Sequence, residues 1–263
     1  MRNVLSIAFV LSILFSCNKT PVILTVQKDN QDPLLLPVLW FQRSAEMKAL
    51  YYQGYNIAKL SLIEKLEKAD NKKPKAVIMD IDETILDNSA IEAFQVLNNV
   101  TFSDSAWLAW VNKSSAEPLP GAMEFIKSAK EKGVEVFYIT NRKSPEEFAP
   151  TLENLRRAGL PFADSTHLML KTDVGSKEPR RRAVAEKYDI LLLIGDNLAD
   201  FDAVFDNRGD DFAFGAVKNS RDQFGTRYII LPNPMYGPWI NAAIKNTPGN
   251  SMREKMTKSI FSF

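Results

Sequence analysis

The spacing of apolar residues along the chain changes period several times, and each change marks an element. From Leu34 to Ala69 apolar positions recur every three or four residues (Leu39, Ala45, Ala49, Tyr52, Ile57, Leu60, Ile63, Leu66), which predicts helix. Gly54 is a candidate break inside it, and Asp70-Asn71-Lys72-Lys73-Pro74 is a turn. Lys75 to Met79 predicts a short strand that ends in Asp80-Ile81-Asp82-Glu83-Thr84. Residues 88–118 hold helical and polar stretches with Trp107 and Trp110. Pro120 opens a helix with Met123, Ile126 and Ala129 on one face, closed by Gly133. Val134 to Ile139 predicts a second strand, which ends in Thr140-Asn141-Arg142. Ser144-Pro145-Glu146-Glu147 has capping-box spacing and starts a helix that stops at Gly159. A weaker strand at His167–Leu170 and a helix over 177–188 come next. Ile190 to Ile194 is continuously apolar, as in a strand buried on both faces, and runs into Gly195-Asp196-Asn197. Phe212–Val217 and Tyr228–Leu231 read as further strands, and no internal repeat is visible.

Strands alternate with helices from about residue 74 onward. This predicts an α/β fold with a parallel sheet and helices on both faces. Such sheets bind ligands at the carboxyl ends of their strands. Three of the predicted strands end in polar clusters, Asp80/Asp82, Thr140/Asn141/Arg142 and Asp196/Asn197. If those strands are neighbours, the clusters meet at one edge.

The amino terminus follows a different pattern. Arg2 precedes an apolar run of 12 residues, Val4 to Phe15. At about 1.5 Å per residue this run is too short for a hydrocarbon core of about 30 Å, so residues 1–16 read as a signal peptide. Leu14-Phe15-Ser16-Cys17 resembles the bacterial lipobox, which makes Cys17 the expected lipidation site. Acyl chains there would hold the protein to a membrane, at about 0.8 kcal/mol per buried CH₂. Residues 17–33 read as a tether between anchor and fold.

Composition narrows the chemistry. The 263 residues carry 33 Lys+Arg and 32 Asp+Glu, so charge gives no reason to expect a nucleic acid polymer as partner. The single Cys excludes an intrachain disulfide framework and a cysteine-based zinc site, and the single His, His167, excludes a multi-histidine centre. Catalysis would have to run on carboxylates, hydroxyls and amines.

Asp80 and Asp82 at a strand end share a direction if the chain stays extended, and a turn there would change that. Carboxylates gathered beside an apolar sheet repel one another unless a hard cation compensates, and Mg²⁺ suits oxygen ligands. Phosphoryl transfer uses every such part: a carboxylate nucleophile, a carboxyl acid/base, a cation, and a hydroxyl and a lysine for the phosphate oxygens. Thr140 and Lys177 are available for the last two jobs, with Lys171 as the alternative lysine.

The segment Val77-Ile78-Met79-Asp80-Ile81-Asp82-Glu83-Thr84-Ile85-Leu86-Asp87-Asn88-Ser89 resembles the DxDxT signature of the haloacid dehalogenase (HAD) superfamily. Gly195-Asp196-Asn197-Leu198-Ala199-Asp200-Phe201 resembles its carboxyl-terminal acidic motif. In their extended forms, with Phe137 to Arg142, Ser176 to Arg180 and Met235 to Trp239, they resemble the bacterial class C (DDDD) acid phosphatases, which include outer-membrane lipoprotein 5′-nucleotidases. The similarity spans roughly residues 38–240. It implies a HAD-like Rossmannoid sheet over 73–87 and 119–240, a smaller, mostly helical cap over 34–72 and 88–118, and a carboxyl-terminal tail over 241–263.

The resemblance also implies roles. Asp80 would be nucleophile and Mg²⁺ ligand, and Asp82 would be acid/base with its backbone carbonyl on the metal. Thr140 would bind phosphate, and Lys177 would neutralise phosphate and nucleophile. Asp196 would ligate Mg²⁺, with Asp200 supporting it. Asn141, Arg142, Tyr236 and Trp107 would contact substrate, Tyr236 by stacking on a nucleobase. Ala90-Ile91 stands where this family often has Pro-Tyr, so substrate preference is not carried over. The implied activity is a Mg²⁺-dependent phosphomonoesterase, an acid phosphatase or 5′-nucleotidase. It would act on small phosphomonoesters, with nucleotides foremost, from the bacterial outer membrane, and a homo-oligomer stays open.

Blander readings stand beside these. The four aspartates are candidates for solvated loop acids or helix caps. Trp107, Trp110 and Tyr236 are candidates for core, Arg142 for an ion-pair partner, and the Arg180-Arg181-Arg182 run for a solvated helix face. DIDET lacks the glycine and later Glu of a calcium loop. Dehalogenase chemistry has no need of Asp82, since a halide leaves without a proton. A non-catalytic ligand-binding lipoprotein on the same fold is the competing class.

Overall fold

β1 (Lys75–Met79) is buried along its whole length, and it forms the centre of the sheet. β2 (Glu135–Lys143) and β4 (Asp189–Gly195) flank it, β3 (Leu168–Lys171) lies outside β2, and β5 (Tyr228–Ile230) lies outside β4. All four pairings are parallel, in the order β3-β2-β1-β4-β5. These facts come from a computed structural model that describes residues 32–70 and 72–262. The expected signal peptide, Cys17 and the tether up to residue 31 lie outside the described residues.

Period-two alternation splits the strands between two cores. Val77, Met79, Val136, Tyr138, Leu192 and Ile194 face one side. There they meet α2 (Ala45–Lys68), α5 (Ala122–Glu131) and Leu155 of α6 (Phe148–Arg157). Ala76, Ile78, Phe137, Ile139 and Leu193 face the other, against Val184 of α7 (Glu178–Lys187), Phe201 and Phe205. Both faces are covered, which is why β1 and β4 read as unbroken apolar runs.

Several boundaries differ from the sequence reading. α1 (Asp32–Arg43) starts two residues before the expected helix, and the break falls at Ser44, whose hydroxyl accepts the Met47 N–H at 3.1 Å and caps α2. Gly54 breaks nothing. It is buried inside a continuous α2, where a Cβ would lie 2.5 Å from Leu231 Cδ2, so its missing side chain lets the helix sit close to the sheet. α2 lies in the range expected for the cap, yet it packs against β4, β5 and α5.

The helix expected from Ser144 begins at Phe148. Residues 144–147 form turns, and the Glu147 carboxylate accepts from Lys143 N and Trp107 Nε1 instead of completing a capping box. The strand expected at Phe212–Val217 is absent among the described residues; α8 (Phe214–Asn219) stands there. Phe212 and Ala213 take positive φ, and the Asp211 carboxylate accepts the N–H groups of Ala213 and Gly215. These local bonds turn an apolar run that periodicity alone cannot assign.

α3 (Ser89–Asn98) and α4 (Asp104–Val111) lie in the β1–β2 connection. Residues of α1, α3 and α4 line a cleft of about 790 Å³ whose floor is the carboxyl edge of the sheet. α9 (Pro238–Ile244) and α10 (Met252–Lys258) occupy the expected tail, and Met252 and Met256 reach the cleft wall. No helix among the described residues is long and apolar enough to cross a membrane.

Candidate active site

Register puts the polar clusters side by side. Met79 pairs with Tyr138 of β2 and Ile194 of β4, and Asp80 N donates to Ile194 O at 3.0 Å. Asp80 and Asp196 therefore leave the ends of β1 and β4 together, beside the part of β2 that carries Thr140. The chain turns at once after Asp80. Ile81 O accepts the N–H groups of Ile85 and Leu86, and Glu83 takes φ +53°. Two buried tyrosines of α2 hold the turn, Tyr51 by donating to Glu83 O and Tyr55 to Thr84 O. The turn sends the carboxylates of Asp80 and Asp82 to different partners.

Asp80 joins Asp196 and Asp200, whose carboxylates each offer an oxygen within 4.8 Å of the others. Lys177, buried just ahead of α7, donates to Asp80 Oδ1 and, at 2.6 Å, to Asp200 Oδ1. Asp200 is fixed by its other oxygen, which takes the Asn197 N–H at 2.9 Å in a capping box. Gly195 makes room for it, since a Cβ there would lie 2.2 Å from Asp200 Oδ2. Asp196 accepts from Asn233 Nδ2 at 2.8 Å and from Thr84 Oγ1 at 3.4 Å.

Three carboxylates against one lysine leave charge uncompensated. Burial pushes the Asp80 carboxyl well above the ordinary range, against the pull of Lys177, and Asp200 and Asp196 push the same way. Burial, with Asp200 beside it, lifts Asp196 to about 7. Burial alone would lower Lys177, but Asp200 and Asp80 outweigh it and hold the ammonium above its ordinary value. An all-oxygen donor set with surplus negative charge fits a hard divalent cation.

Asp82 is the hub of a second network. Its Oδ1 accepts from Arg142 Nε at 2.9 Å and Asn88 Nδ2 at 2.8 Å, and Arg142 Nη2 lies 2.8 Å from it as an ion pair. Its Oδ2 accepts from Thr140 Oγ1 at 3.1 Å. β2 runs on through Lys143, four residues past its expected end, and this extension explains the pattern. Thr140 and Arg142 sit two apart and point inward, whereas Asn141 points out and takes Arg180 Nη2 at 2.6 Å.

The cleft brings Asn141, Arg142, Trp107 and Tyr236 to its lining along with the acids. Lys171, the alternative lysine, also borders it, but Lys177 is the one on Asp80. The arginine run is not one solvated face. Arg180 donates to Thr140 O, buried Arg181 donates to Ala199 O at 2.8 Å, and only Arg182 is largely exposed. Asn88, Asn233, Tyr51 and Tyr55 were outside the expected set. The four-residue spacing of the tyrosines on one helix face was the available signal.

The family model for the HAD superfamily, subfamily IIIB (acid phosphatase), matches residues 18–239. The chain superposes on the class C acid phosphatase of Bacillus anthracis with a TM-score of 0.81 and 41% identity, over 89% of this chain and 98% of that one. A tungstate-bound structure of the Bacillus anthracis class C enzyme gives 0.82 and 39%, with the same coverage of both chains. Among curated proteins, acid phosphatase 1 of Solanum lycopersicum is 29% identical over 60% of this chain and 57% of its own length. The stem 31 kDa glycoprotein of Glycine max is 26% identical over 60% and 58%. The match thus spans somewhat over half the length of these curated relatives. With most of its length matched by one family model, and with the acids of both motifs meeting Lys177 at the sheet edge, the chain belongs to the class C acid phosphatases of the HAD superfamily.

Proposed function

We propose that the protein is a Mg²⁺-dependent phosphoric monoester hydrolase that works through an aspartyl-phosphate on Asp80. The observation that carries this reading is the gathering of buried Asp80 and Asp200 and half-buried Asp196 around Lys177, with Asp82 held beside it on a separate network. The tungstate of the Bacillus anthracis structure, a tetrahedral oxyanion of phosphate shape, supports an oxyanion site in the family.

Asp80, Asp196 and the backbone carbonyl of Asp82 would hold the cation, with Asp200 fixed behind them. When bound, Mg²⁺ offsets the repulsion between the carboxylates and the phosphate dianion. A carboxylate oxygen of Asp80 bonds to phosphorus as the phosphorus–oxygen bond to the alcohol breaks, and Asp82 gives the departing oxygen its proton. Asp82 then takes a proton from water, the water oxygen bonds to phosphorus, and the bond to Asp80 breaks. Phosphate leaves and both carboxyls return to their starting states. Lys177 Nζ is a donor for the phosphate oxygens, and the Thr140 hydroxyl becomes one when its proton swings from Asp82 Oδ2 to the substrate.

Tyr236, Trp107 and Trp239 on the cleft wall support a substrate with an aromatic part, as a nucleotide has. Leu14 to Cys17 supports a lipid anchor and an outer-membrane location. Hydrolysis of p-nitrophenyl phosphate with Mg²⁺, with EDTA and in Asp80→Asn tests the mechanism. Full activity in EDTA or in Asp80→Asn rejects it, and no turnover of any phosphomonoester supports a binding protein instead. Equal kcat/KM for AMP and ribose 5-phosphate would remove the base contact. An unchanged membrane fraction in Cys17→Ser would remove the anchor.

A further inference from the structure

We infer that Arg142, braced by Trp107 of α4, is a positioning residue for Asp82 and not a substrate clamp. The inference deepens the phosphatase reading and rests on it. The guanidinium of Arg142 is held from several sides. Nε and Nη2 both end on Asp82 Oδ1, at 2.9 and 2.8 Å. Nη2 also reaches Asn88 Oδ1 at 3.4 Å, and Nη1 donates to Thr151 Oγ1 at 3.1 Å. Each of the three nitrogens donates one hydrogen bond to the protein, and Nη2 is in addition ion-paired with Asp82. The fork that would grip a phosphate by two prongs is already spent on the protein.

The side chain is also enclosed. Arg142 is 3% exposed, and its guanidinium carbon lies 5.5 Å from the centre of the Trp107 ring. Trp107 is tied down in turn, with Nε1 donating at 3.1 Å to Glu147 Oε2, which also accepts the Lys143 N–H. A helix of the β1–β2 connection thus presses on the arginine that holds Asp82.

The two oxygens of Asp82 end up unlike each other. Oδ1 accepts two hydrogen bonds, from Arg142 Nε and Asn88 Nδ2, and is ion-paired with Arg142 Nη2, whereas Oδ2 carries the Thr140 hydroxyl alone. Oδ2 is therefore the oxygen with room for a proton. As the Asp80–phosphorus bond forms and the bond to the alcohol breaks, the electron pair goes to the leaving oxygen. The proton on Oδ2 follows it, and the charge left on Asp82 faces the guanidinium. Arg142 acts on the leaving group through Asp82, without touching either reacting oxygen.

Leaving-group dependence separates this role from phosphate binding and from mere folding. An alkyl phosphate such as glycerol 2-phosphate needs its departing oxygen protonated, and p-nitrophenyl phosphate scarcely does. In Arg142→Met, kcat/KM should fall about 100-fold on the alkyl ester and no more than about 5-fold on the nitrophenyl ester, within the range that general acid catalysis supplies. Arg142→Lys should fall between, and millimolar guanidinium ion should restore alkyl-ester turnover in Arg142→Ala. Thr151→Val, which removes the acceptor of Nη1 and lies outside the cleft lining, should show the same selectivity at about a tenth of the size, so the test survives if the arginine variants do not fold. In an Asp82→Asn background, Arg142→Met should add no further selectivity. Equal losses on the two esters overturn the assignment of Arg142 and leave the phosphatase reading standing. A wild-type chain inactive on both esters overturns the phosphatase reading itself.

Discussion

Glu92 offers a test of how this fold handles buried charge away from the acid cluster. It lies on α3 at the cleft wall and is 6% exposed. Its Oε2 accepts one hydrogen bond, from Gln95 Nε2 at 2.8 Å, and that partner is an amide and not a cation. Burial pushes the carboxyl from an ordinary 4.5 up to about 7. Because the folded value is the higher one, the stability it confers is fully present below pH 4.5. It is lost as pH rises towards 7, where the unfolded chain has released a proton that the folded chain still holds. At about 1.36 kcal/mol per pH unit, the loss totals about 3 kcal/mol. Glu92→Gln keeps the shape and cannot ionise. It should match the parent near pH 4 and exceed it by about 2–3 kcal/mol at pH 8. Urea unfolding of both chains at pH 4, 6 and 8 measures the gap, and other titrating groups cancel in the difference. A gap that stays constant with pH, or a Gln variant weaker than the parent at pH 8, would refute the reasoning.

Other consequences follow from single atoms. Gly54→Ala puts a Cβ 2.5 Å from Leu231 Cδ2 and should cost about 1–3 kcal/mol, read as a fall in Tm; an unchanged Tm would show that α2 can draw back freely. Gly195→Ala drives a methyl into Asp200, so phosphatase kcat/KM should drop at least about 10-fold with far-UV circular dichroism unchanged. Lys177→Met leaves Asp80 and Asp200 facing each other without their shared ammonium. In EDTA it should lose about 3–5 kcal/mol, and Mg²⁺ should recover more Tm in the variant than in the parent; equal responses to Mg²⁺ would mean that the acids do not share a cation site.

Buried strands were the most legible part of the sequence. β1 was readable to the residue, and β4 to within one at each end, because a strand covered on both faces has no polar interruptions. Helix positions were legible as far as α7 but their limits were not, and α8, α9 and α10 were not read as helices. Gly54 looked like punctuation because the sequence does not say that Leu231 lies against it. Phe212–Val217 looked like a strand because the Asp211 side-chain bonds that turn it are local in space but carry no period. In the candidate site, the acids and Lys177 were legible from motif order. The partners of Asp82 were not, since Arg142 and Asp82 are 60 residues apart and their meeting depends on β2 running past its apolar stretch.

The central place of β1 has a consequence for how the molecule is made. β1 emerges from the ribosome before the other strands, yet it needs β4, whose residues follow more than a hundred positions later, to complete its hydrogen bonding. Lys177 reaches back 97 residues to Asp80, and Thr84 and Asp196 are 112 apart. Until residue 200 or so has been synthesised, Asp80 has neither its lysine nor its acidic neighbours. A nascent or truncated chain that stops short of β4 therefore lacks two of the three clustered acids and displays an unpaired apolar strand edge, a natural target for chaperones.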